Sequence, residues 1–292
     1  MRIYQEERRI PLNHETIENY FLEEYEYYKN NNSIEFKLYG KKLKSLYKNL
    51  NIQVLVTRDC PYNCWFCCEK ENIIGSTKEC RGNSNMILNV LTVEHICDTL
   101  LDNGIIPNVS LTGGEPLCNL RYLDLLVFLL LTYKKNIKFG INTSGPVFDE
   151  LLNKIPYINL SVHNHFGIKR QEYWKEYDPS KTTIQSILDI QTPDLLEGFN
   201  RFSFRFLSRM NSDHNVPNFD ERIKGDFVQQ KVGDYYFYEE RKIDNNLIHY
   251  SYSDVVTLNK LNSNEKDNLY TRAIIITPSG EVFSDWSGTR LK

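Results

Sequence analysis

The chain has 292 residues, enough for one large domain or two smaller ones, and its 41% hydrophobic and 25% charged residues are typical of a folded globular protein. Its formal net charge of −3 provides no basic surface for duplex nucleic acid. The composition therefore excludes wholesale disorder and argues against a DNA-binding protein.

The sequence leads us to expect neither an export signal nor a membrane span. The first twenty residues lack the apolar core of a signal peptide. The longest apolar run, at residues 125–131, is too short to cross a bilayer, which takes about 20 residues, and we interpret it as a buried helix. We expect a soluble cytoplasmic protein, in which clustered cysteines indicate metal or redox chemistry rather than disulfides.

Residues 1–50 are charged and rich in Tyr, Asn and Lys, with a helical pattern at residues 14–28, so we predict a short helical N-terminal extension. From residue 51 onward, short β-type runs alternate with amphipathic stretches. The predicted strands lie at residues 51–57, 108–112, 136–143, 157–163 and 201–207, and the predicted helices at 91–104, 120–135, 147–155 and 182–191.

Strands that alternate with helices indicate an α/β fold with a parallel sheet, curled into a full or partial barrel by right-handed crossovers. Catalytic and binding residues in such folds lie at the C-terminal ends of the strands. We assign this unit to residues 51–215. Residues 216–292 form a C-terminal segment with two β-hairpins, an aromatic one at 234–254 and a second one turning at 278–280, and we expect this segment to close the open side of the barrel or to pack as an aromatic core.

Four of the seven cysteines lie between residues 60 and 68, and three of them, Cys60, Cys64 and Cys67, have the spacing C-x3-C-x2-C directly after the first predicted strand. Three thiolates on one loop suit a cubane iron–sulfur cluster with one iron left open, whereas electron-transfer clusters usually have four cysteine ligands. Cys68 is a poor fourth ligand because adjacent side chains rarely turn to one cluster. A structural zinc site requires two separated pairs, and a redox dithiol leaves Cys60 unexplained.

A second motif, "VSLTGGEPL" at residues 109–117, follows the second predicted strand. Gly113 and Gly114 allow a close approach to the backbone, and Pro116 keeps Glu115 extended. A carboxylate beside open backbone groups suits an ammonium group on a ligand.

Together the two motifs resemble those of the radical S-adenosylmethionine (radical SAM) enzymes. In that family the three cysteines hold a [4Fe–4S] cluster, and the aromatic residue before the third cysteine, here Phe66, packs at the adenine end of SAM. The GGE motif, here Gly113, Gly114 and Glu115, receives the SAM amino group. The resemblance implies a partial (β/α)6 barrel and covers residues 51–207.

Further matches to this family lie at later strand ends. "INTSG" resembles its third-strand segment, which implies that Asn142, Thr143 or Ser144 lies near the ribose or carboxylate of SAM. "NLSVH" resembles its fourth-strand segment and makes Ser161 a SAM contact. Arg205 is a candidate partner of the SAM carboxylate, and the alternative is an arginine on an outward strand face.

Three residues are candidates for catalysis. His163 and His165 alternate at one strand end and are candidates for a metal or proton-transfer site, although polar residues at the start of a loop are common. Cys118 follows the GGE motif and is a candidate thiol hydrogen donor, although small buried cysteines are commoner. No cysteine follows Cys118, so the resemblance is to the single-cluster type without SPASM or twitch auxiliary clusters.

The resemblance implies reductive cleavage of SAM and hydrogen abstraction from a substrate, with an electron donor such as flavodoxin or ferredoxin. We expect a small-molecule substrate, of natural-product or nucleotide type. For a nucleotide, Arg290 and Lys292 are the expected contacts to its anionic groups. A peptide-modifying (RiPP maturation) enzyme and a non-catalytic iron–sulfur or zinc protein stay open as alternatives. The reaction class, oxidoreductase, lyase or isomerase, stays open as well.

Overall fold

The computed structural model of the chain describes residues 2–4, 9, 16, 19–20, 22–23, 26–27, 33–45, 47–62, 64, 86–133, 137–163, 173–188, 195–206, 222–233, 236–253, 269–286 and 289–292. Phe66, Cys67 and His165, all predicted site residues, lie outside these ranges.

The elements follow one another along the chain as β1 (Arg2–Tyr4), β2 (Ile34–Leu38), β3 (Lys41–Ser45), β4 (Asn49–Thr57), α1 (Met86–Asp102), β5 (Ile106–Gly113), a 3-10 helix (Pro116–Asn119), α2 (Leu120–Thr132), β6 (Lys138–Thr143), a second 3-10 helix (Glu150–Lys154), β7 (Tyr157–Ser161), β8 (Thr182–Ile187), β9 (Arg201–Arg205), β10 (Asp226–Gly233), β11 (Tyr236–Ile243), β12 (Asn246–Ser253), β13 (Leu269–Thr271), β14 (Ala273–Ile276) and β15 (Val282–Phe283).

Among the described residues, twelve strands form one sheet in the order β1-β10-β11-β12-β9-β8-β7-β6-β5-β4-β14-β15. The six strands β4 to β9 lie side by side in chain order and are all parallel. This confirms the predicted α/β fold with a parallel sheet. Because the strands run in one direction, their C-terminal ends lie along one edge of the sheet.

The C-terminal strands extend the parallel sheet at both of its sides. β12 pairs in parallel with β9, and its hairpin with β11 turns at Asp244 and Asn245, as the sequence predicted. At the other side, β14 pairs in parallel with β4 and turns back into β15. Residues 216–292, which we expected as a closing segment, are thus partly continuous with the barrel sheet.

The N-terminal 50 residues, which we expected as a helical extension, also contribute strands. β1 pairs with β10 at one side of the large sheet, and β2 and β3 form a hairpin. β13 joins this hairpin in a second, three-stranded sheet. The helical pattern at residues 14–28 is present at the described positions Thr16, Asn19 and Tyr20.

Side chains alternate between the two faces of the large sheet. On one face, apolar residues such as Ile52, Leu111 and Ile141 pack with α1 and α2 in the main core. The register of the strands places a set of polar residues together on the opposite face, which we call the polar face: Asn51, Gln53, Ser110, Asn142, Asn159, Ser161, Gln185, Ser203, Arg205, Glu240 and His249.

Two predictions about individual elements were wrong. Residues 182–191 were predicted as a helix, but Thr182–Ile187 forms β8 between β7 and β9. The β-branched residues of this run fit a pleated strand, and pairing on both sides decides the outcome. The apolar run at 125–131 was predicted as buried, but in α2 Leu125 and Phe128 are 39% and 65% exposed, because only one stripe of the helix faces the core.

No helix among the described residues has the length and apolar character that a membrane crossing requires.

Candidate active site

The predicted site residues that the structure describes lie at the C-terminal ends of neighbouring parallel strands. Cys60 follows β4, Gly114 and Glu115 follow β5, and Ser144 follows β6. Ser161 is the last residue of β7, and Arg205 is the last residue of β9. One edge of the sheet therefore holds residues that are up to about 150 positions apart in the sequence, as the strand-end rule predicted.

Gly113 and Gly114 pack directly against the segment that leads into the cysteine loop. A Cβ atom at Gly113 would lie 2.4 Å from the carbonyl oxygen of Thr57, and one at Gly114 would lie 2.4 Å from that of Asp59. The backbone N–H of Gly114 donates to Thr57 O at 2.7 Å, and that of Glu115 donates to Asp59 O at 2.8 Å. The two glycines are thus required by the backbone that precedes Cys60, a reason that the sequence did not reveal.

The Glu115 carboxylate is buried, with 1% of the residue exposed, and it accepts four hydrogen bonds. Its Oε1 atom accepts from the backbone N–H of Leu117 at 3.2 Å and from the Thr143 hydroxyl at 2.6 Å. Its Oε2 atom accepts from the backbone N–H and the hydroxyl of Ser144, at 2.7 and 2.5 Å. Four bonds fill the acceptor sites of a carboxylate, so Glu115 ties the end of β5 to the end of β6.

Two of the three predicted cluster ligands are described. Cys60 is exposed, Cys64 is half-buried, and neither forms a disulfide. Among the described residues no group of three or more His, Cys, Asp or Glu side chains is placed to hold a metal ion, and the third predicted ligand, Cys67, lies outside them. Two accessible, unoxidised thiols on one strand-end loop are a donor set that fits an iron–sulfur cluster.

Cys118 lies in the first 3-10 helix, next to the cysteine loop. Its backbone N–H donates to Glu115 O at 2.9 Å, and its side chain is exposed. Partial burial raises the pKa of the Cys118 thiol, and the negative charges of Glu115, Cys60 and Asp59 raise it further. The sulfur therefore remains a thiol at neutral pH, the protonation state that a hydrogen donor requires.

Asn142 lies at the centre of a hydrogen-bonded row on the polar face. Its side-chain N–H donates to Ser110 Oγ at 2.8 Å, and its Oδ1 atom accepts from the side-chain N–H of Asn159 at 2.8 Å. The row crosses β5, β6 and β7 below the strand ends. It holds the Asn142 amide in one orientation, with the half-buried side chain directed away from the apolar core.

Ser161 and Arg205 lie on this same face. Ser161 is opposite Gln185 across β7 and β8, and Gln185 Oε1 accepts a hydrogen bond from Arg205 Nη2 at 2.7 Å. Arg205 is exposed. The sequence left open whether Arg205 lies on an outward strand face, and the register places it on the face that carries Asn142 and Ser161.

His163 follows β7 and is 7% exposed, in contrast to the half-buried Ser161 two positions earlier. The neighbouring Val162 is held on both sides, since its N–H donates to Gln185 O at 2.7 Å and its carbonyl accepts from Ser186 Oγ at 2.7 Å. The predicted pairing of His163 with His165 lies outside the described residues. His163 by itself is an enclosed side chain at the site edge.

Three polar residues on the hairpin strands were missed by sequence reasoning. Glu240 contacts both Lys231 and His249 on the polar face. Glu240 and His249 come from the hairpin that we expected only to pack or to close the barrel, and Lys231 comes from β10, which was not predicted as a strand. The signal in the sequence for His249 was the alternation of polar residues with tyrosines at residues 249–253. Without the register it gave no reason to connect these residues with the site.

Residues 54–176 match the sequence model of the Radical SAM superfamily. Among solved structures, the chain is similar to BtrN in complex with AdoMet and 2-DOIA, with 16% identity, 81% of this chain and 73% of that chain covered, and a TM-score of 0.41. It also matches a selenomethionine form of BtrN in an open conformation, with 19% identity, 47% and 55% of the two chains covered, and a TM-score of 0.30. No curated protein matches the sequence.

Proposed function

We propose that this chain, whose residues 54–176 match the Radical SAM superfamily model, cleaves S-adenosylmethionine reductively and uses the resulting 5′-deoxyadenosyl radical to abstract hydrogen from a small-molecule substrate. The observation that carries this proposal is the contact of the two motifs in space. The GGE segment after β5 is hydrogen-bonded to the residues that lead into the cysteine loop after β4.

We assign the cluster ligands to Cys60, Cys64 and Cys67. These residues would hold a [4Fe–4S] cluster, which would supply the electron for SAM cleavage, with a protein such as flavodoxin or ferredoxin as the electron donor. The chain's own contribution is to hold the thiols in place. Gly113 and Gly114 do so by letting β5 pack within hydrogen-bonding distance of the backbone at Thr57 and Asp59.

SAM contacts are assigned to Phe66 at the adenine and to the strand-end residues Asn142, Ser144, Ser161 and Arg205. Arg205 is the cationic residue of this set and is suited to the SAM carboxylate. Glu115 is our candidate for the SAM amino group. Because the four acceptor sites of Glu115 are filled, the ammonium group of SAM must share or replace one of the four donors. The Ser144 hydroxyl is the donor that can be displaced, because it can rotate about its Cα–Cβ bond.

The lining of the polar face supports a small polar substrate over a peptide. Its side chains are mostly amides and hydroxyls, which match the donors and acceptors of a compact hydroxylated or amino compound. The nucleotide option has less support, because its proposed anion contacts bind the chain itself. Arg290 pairs with Glu281 at 3.1 Å, and Lys292 donates to Thr92 Oγ1 at 3.0 Å.

Anaerobic reconstitution tests the proposal. The loaded protein is expected to carry about four iron atoms per chain and no zinc, and to release 5′-deoxyadenosine with dithionite and SAM. Cys64→Ala is expected to abolish this release. Cys97→Ala is the matched control, since Cys97 is buried in α1 and burial first, then Asp98 and Glu94, raises its pKa to about 12.

Two outcomes would contradict the proposal in different ways. Bound zinc without iron would favour the structural zinc alternative. Iron-loaded protein that releases no 5′-deoxyadenosine with any reductant would favour the non-catalytic iron–sulfur protein.

A further inference from the structure

A group of charged and polar side chains on β10, β11 and β12 lies outside the motifs used so far. The Glu240 carboxylate is buried, with 5% of the residue exposed. Lys231 Nζ donates to Glu240 Oε1 at 2.6 Å, Gln229 donates to Oε2, and His249 Nδ1 lies 3.4 Å from Oε1. The four residues form a cluster at the centre of the three-stranded meander, which we call the hairpin cluster.

The register places the hairpin cluster on the same face as the proposed SAM contacts. His249 is opposite Glu240 on one side and Ser203 on the other, and Ser203 is opposite Gln185, the partner of Arg205. Gln185 is in turn opposite Ser161. Three strand spacings separate β12 from β7, which corresponds to about 14 Å between His249 and Ser161 along the sheet. That span leaves room for one small molecule between them.

The environment keeps Glu240 ionised. Burial opposes the charge, but hydrogen bonds from Lys231 and Gln229, together with the charges of Lys231 and His249, outweigh it and lower the pKa of Glu240. A carboxylate that is satisfied in this way is a fixed negative charge. It can orient a neighbouring imidazole and stabilise the imidazolium form.

His249 is kept neutral at physiological pH. Desolvation lowers its pKa, the carboxylate of Glu240 raises it, and the charge of Lys231 lowers it, with a net decrease. The charged groups on this face of the adjacent described strands are Glu240 and Lys242 on β11 and Arg201 and Arg205 on β9, and Lys231 lies one strand further, on β10. The Nδ1 atom lies 3.4 Å from Glu240 Oε1. This neighbour favours the tautomer with the proton on Nδ1, which leaves Nε2 as an acceptor. The side chain is 42% exposed, so that this nitrogen is accessible.

We propose that His249 is a catalytic proton acceptor of the substrate site, oriented by Glu240, and that the substrate is a hydroxyl-rich small molecule. This inference rests on the proposed radical SAM function. In the step assigned here, a substrate hydroxyl gives its proton to His249 Nε2, and the electron pair of the O–H bond stays on the substrate oxygen. Glu240, a positioning residue, balances the charge of the imidazolium.

The substrate class follows from the groups between His249 and the strand ends. Between the hairpin cluster and Ser161, the polar face presents Ser203 and Gln185, and beyond Ser161 it continues with the row through Asn142 and Asn159. All four side chains are neutral donors and acceptors. Hydroxyl groups can both donate to and accept from such side chains. An apolar ligand could form no hydrogen bonds with these side chains.

The test uses the reconstituted full chain with SAM, dithionite and a panel of monosaccharides as probes. At least one sugar is expected to raise 5′-deoxyadenosine release above the level without sugar. His249→Gln, which keeps a polar amide but cannot accept a proton, is expected to lower the sugar-dependent rate about 100-fold or more. His95→Gln, on the exposed surface of α1, is the matched control and is expected to keep the wild-type rate.

The pH profile separates a proton acceptor from a structural residue. The sugar-dependent rate is expected to fall as pH drops through the pKa of His249, because only the neutral ring accepts a proton. Glu240→Gln removes the charge that raises this pKa, so its acid limb is expected at lower pH than in the wild type. An acid limb at the same pH in both proteins would overturn the proposed Glu240–His249 coupling.

A measurement without any ligand covers the case in which a variant folds poorly. Nitrogen-15 NMR of the full wild-type chain labelled at histidine is expected to show His249 as the Nδ1–H tautomer, and an Nε2–H tautomer would overturn the assignment. Protein that cleaves SAM but responds to no sugar would overturn the substrate class. An undiminished sugar response in His249→Gln would overturn the catalytic role. Wild-type protein that never releases 5′-deoxyadenosine would instead contradict the underlying function.

Discussion

Glu115 Oε2 accepts two hydrogen bonds from Ser144, one from its backbone N–H at 2.7 Å and one from its hydroxyl at 2.5 Å. The two residues belong to different strand ends, after β5 and after β6. The Gly-Gly-Glu motif, which the sequence associates with ligand binding, therefore also links two strand ends of the protein. We call the two Glu115–Ser144 hydrogen bonds the tie. The tie holds one strand-end loop of the proposed SAM site against the next.

The first prediction concerns this tie in the protein without SAM. Glu115→Gln is expected to lower the free energy of unfolding by about 1–3 kcal/mol, because an amide cannot accept all four bonds and leaves buried donors without partners. Ser144→Ala removes only the hydroxyl and is expected to cost about 1 kcal/mol. Urea denaturation of both single variants and the double variant measures the coupling, expected at about 0.5–3 kcal/mol. Additive effects would show that the Ser144 hydroxyl does not contribute to the tie.

The second prediction concerns Gly114. Its Cβ position lies 2.4 Å from the backbone oxygen of Asp59, so Gly114→Ala must displace the segment before Cys60. We expect a loss of about 1–3 kcal/mol in stability and fewer iron atoms bound per chain after reconstitution. Gly104→Ala is the matched control. Gly104 has a φ of +75° with nothing within 4 Å, so alanine there costs about 1 kcal/mol but leaves iron binding intact. Full iron content in Gly114→Ala would contradict the proposed role of this contact.

The third prediction concerns Arg205 and SAM. If Arg205 binds the SAM carboxylate, Arg205→Ala is expected to weaken SAM binding about 10- to 100-fold, the effect of losing a charge-assisted hydrogen bond. Arg201→Ala is the control, since Arg201 is an exposed arginine on the same face of the same strand, at its opposite end. Calorimetric titration of the reconstituted proteins measures both. Equal affinities in the two variants would make Arg205 a solvated surface residue.

The fourth prediction concerns acid stability. The pKa of His249 is lowered below its ordinary 6.5, so as pH falls below 6.5 the unfolded chain takes up the proton first and the folded state loses stability. The lowered pKa of Glu240 adds a further loss below its ordinary 4.5. The unfolding free energy is therefore expected to fall less steeply between pH 6.5 and 5 in His249→Gln than in the wild type. Parallel urea-denaturation profiles across this range would contradict the prediction.

The order and type of most elements followed from the sequence. The strands now seen as β4 to β7 and β9, the helices α1 and α2, and both C-terminal turns were predicted from local patterns of apolar residues and from Gly, Asn and Pro at the turns. β8 was not, since its run of β-branched residues suits a strand while its apolar spacing suits a helix. Only pairing with β7 and β9 separates these two outcomes, and pairing is not a local property.

The sequence by itself determined the residue types at the strand ends: closely spaced cysteines on one loop, and a glycine-glycine-glutamate turn on the next. It did so because these features depend on residue type and short spacing. The tertiary structure alone decided that Glu115 binds Ser144 and that the glycines pack against the backbone before Cys60. It also decided that His249 lies on the same face as Ser161. These relationships depend on strand register, which is set by pairing between segments far apart in the chain and therefore has no local signature.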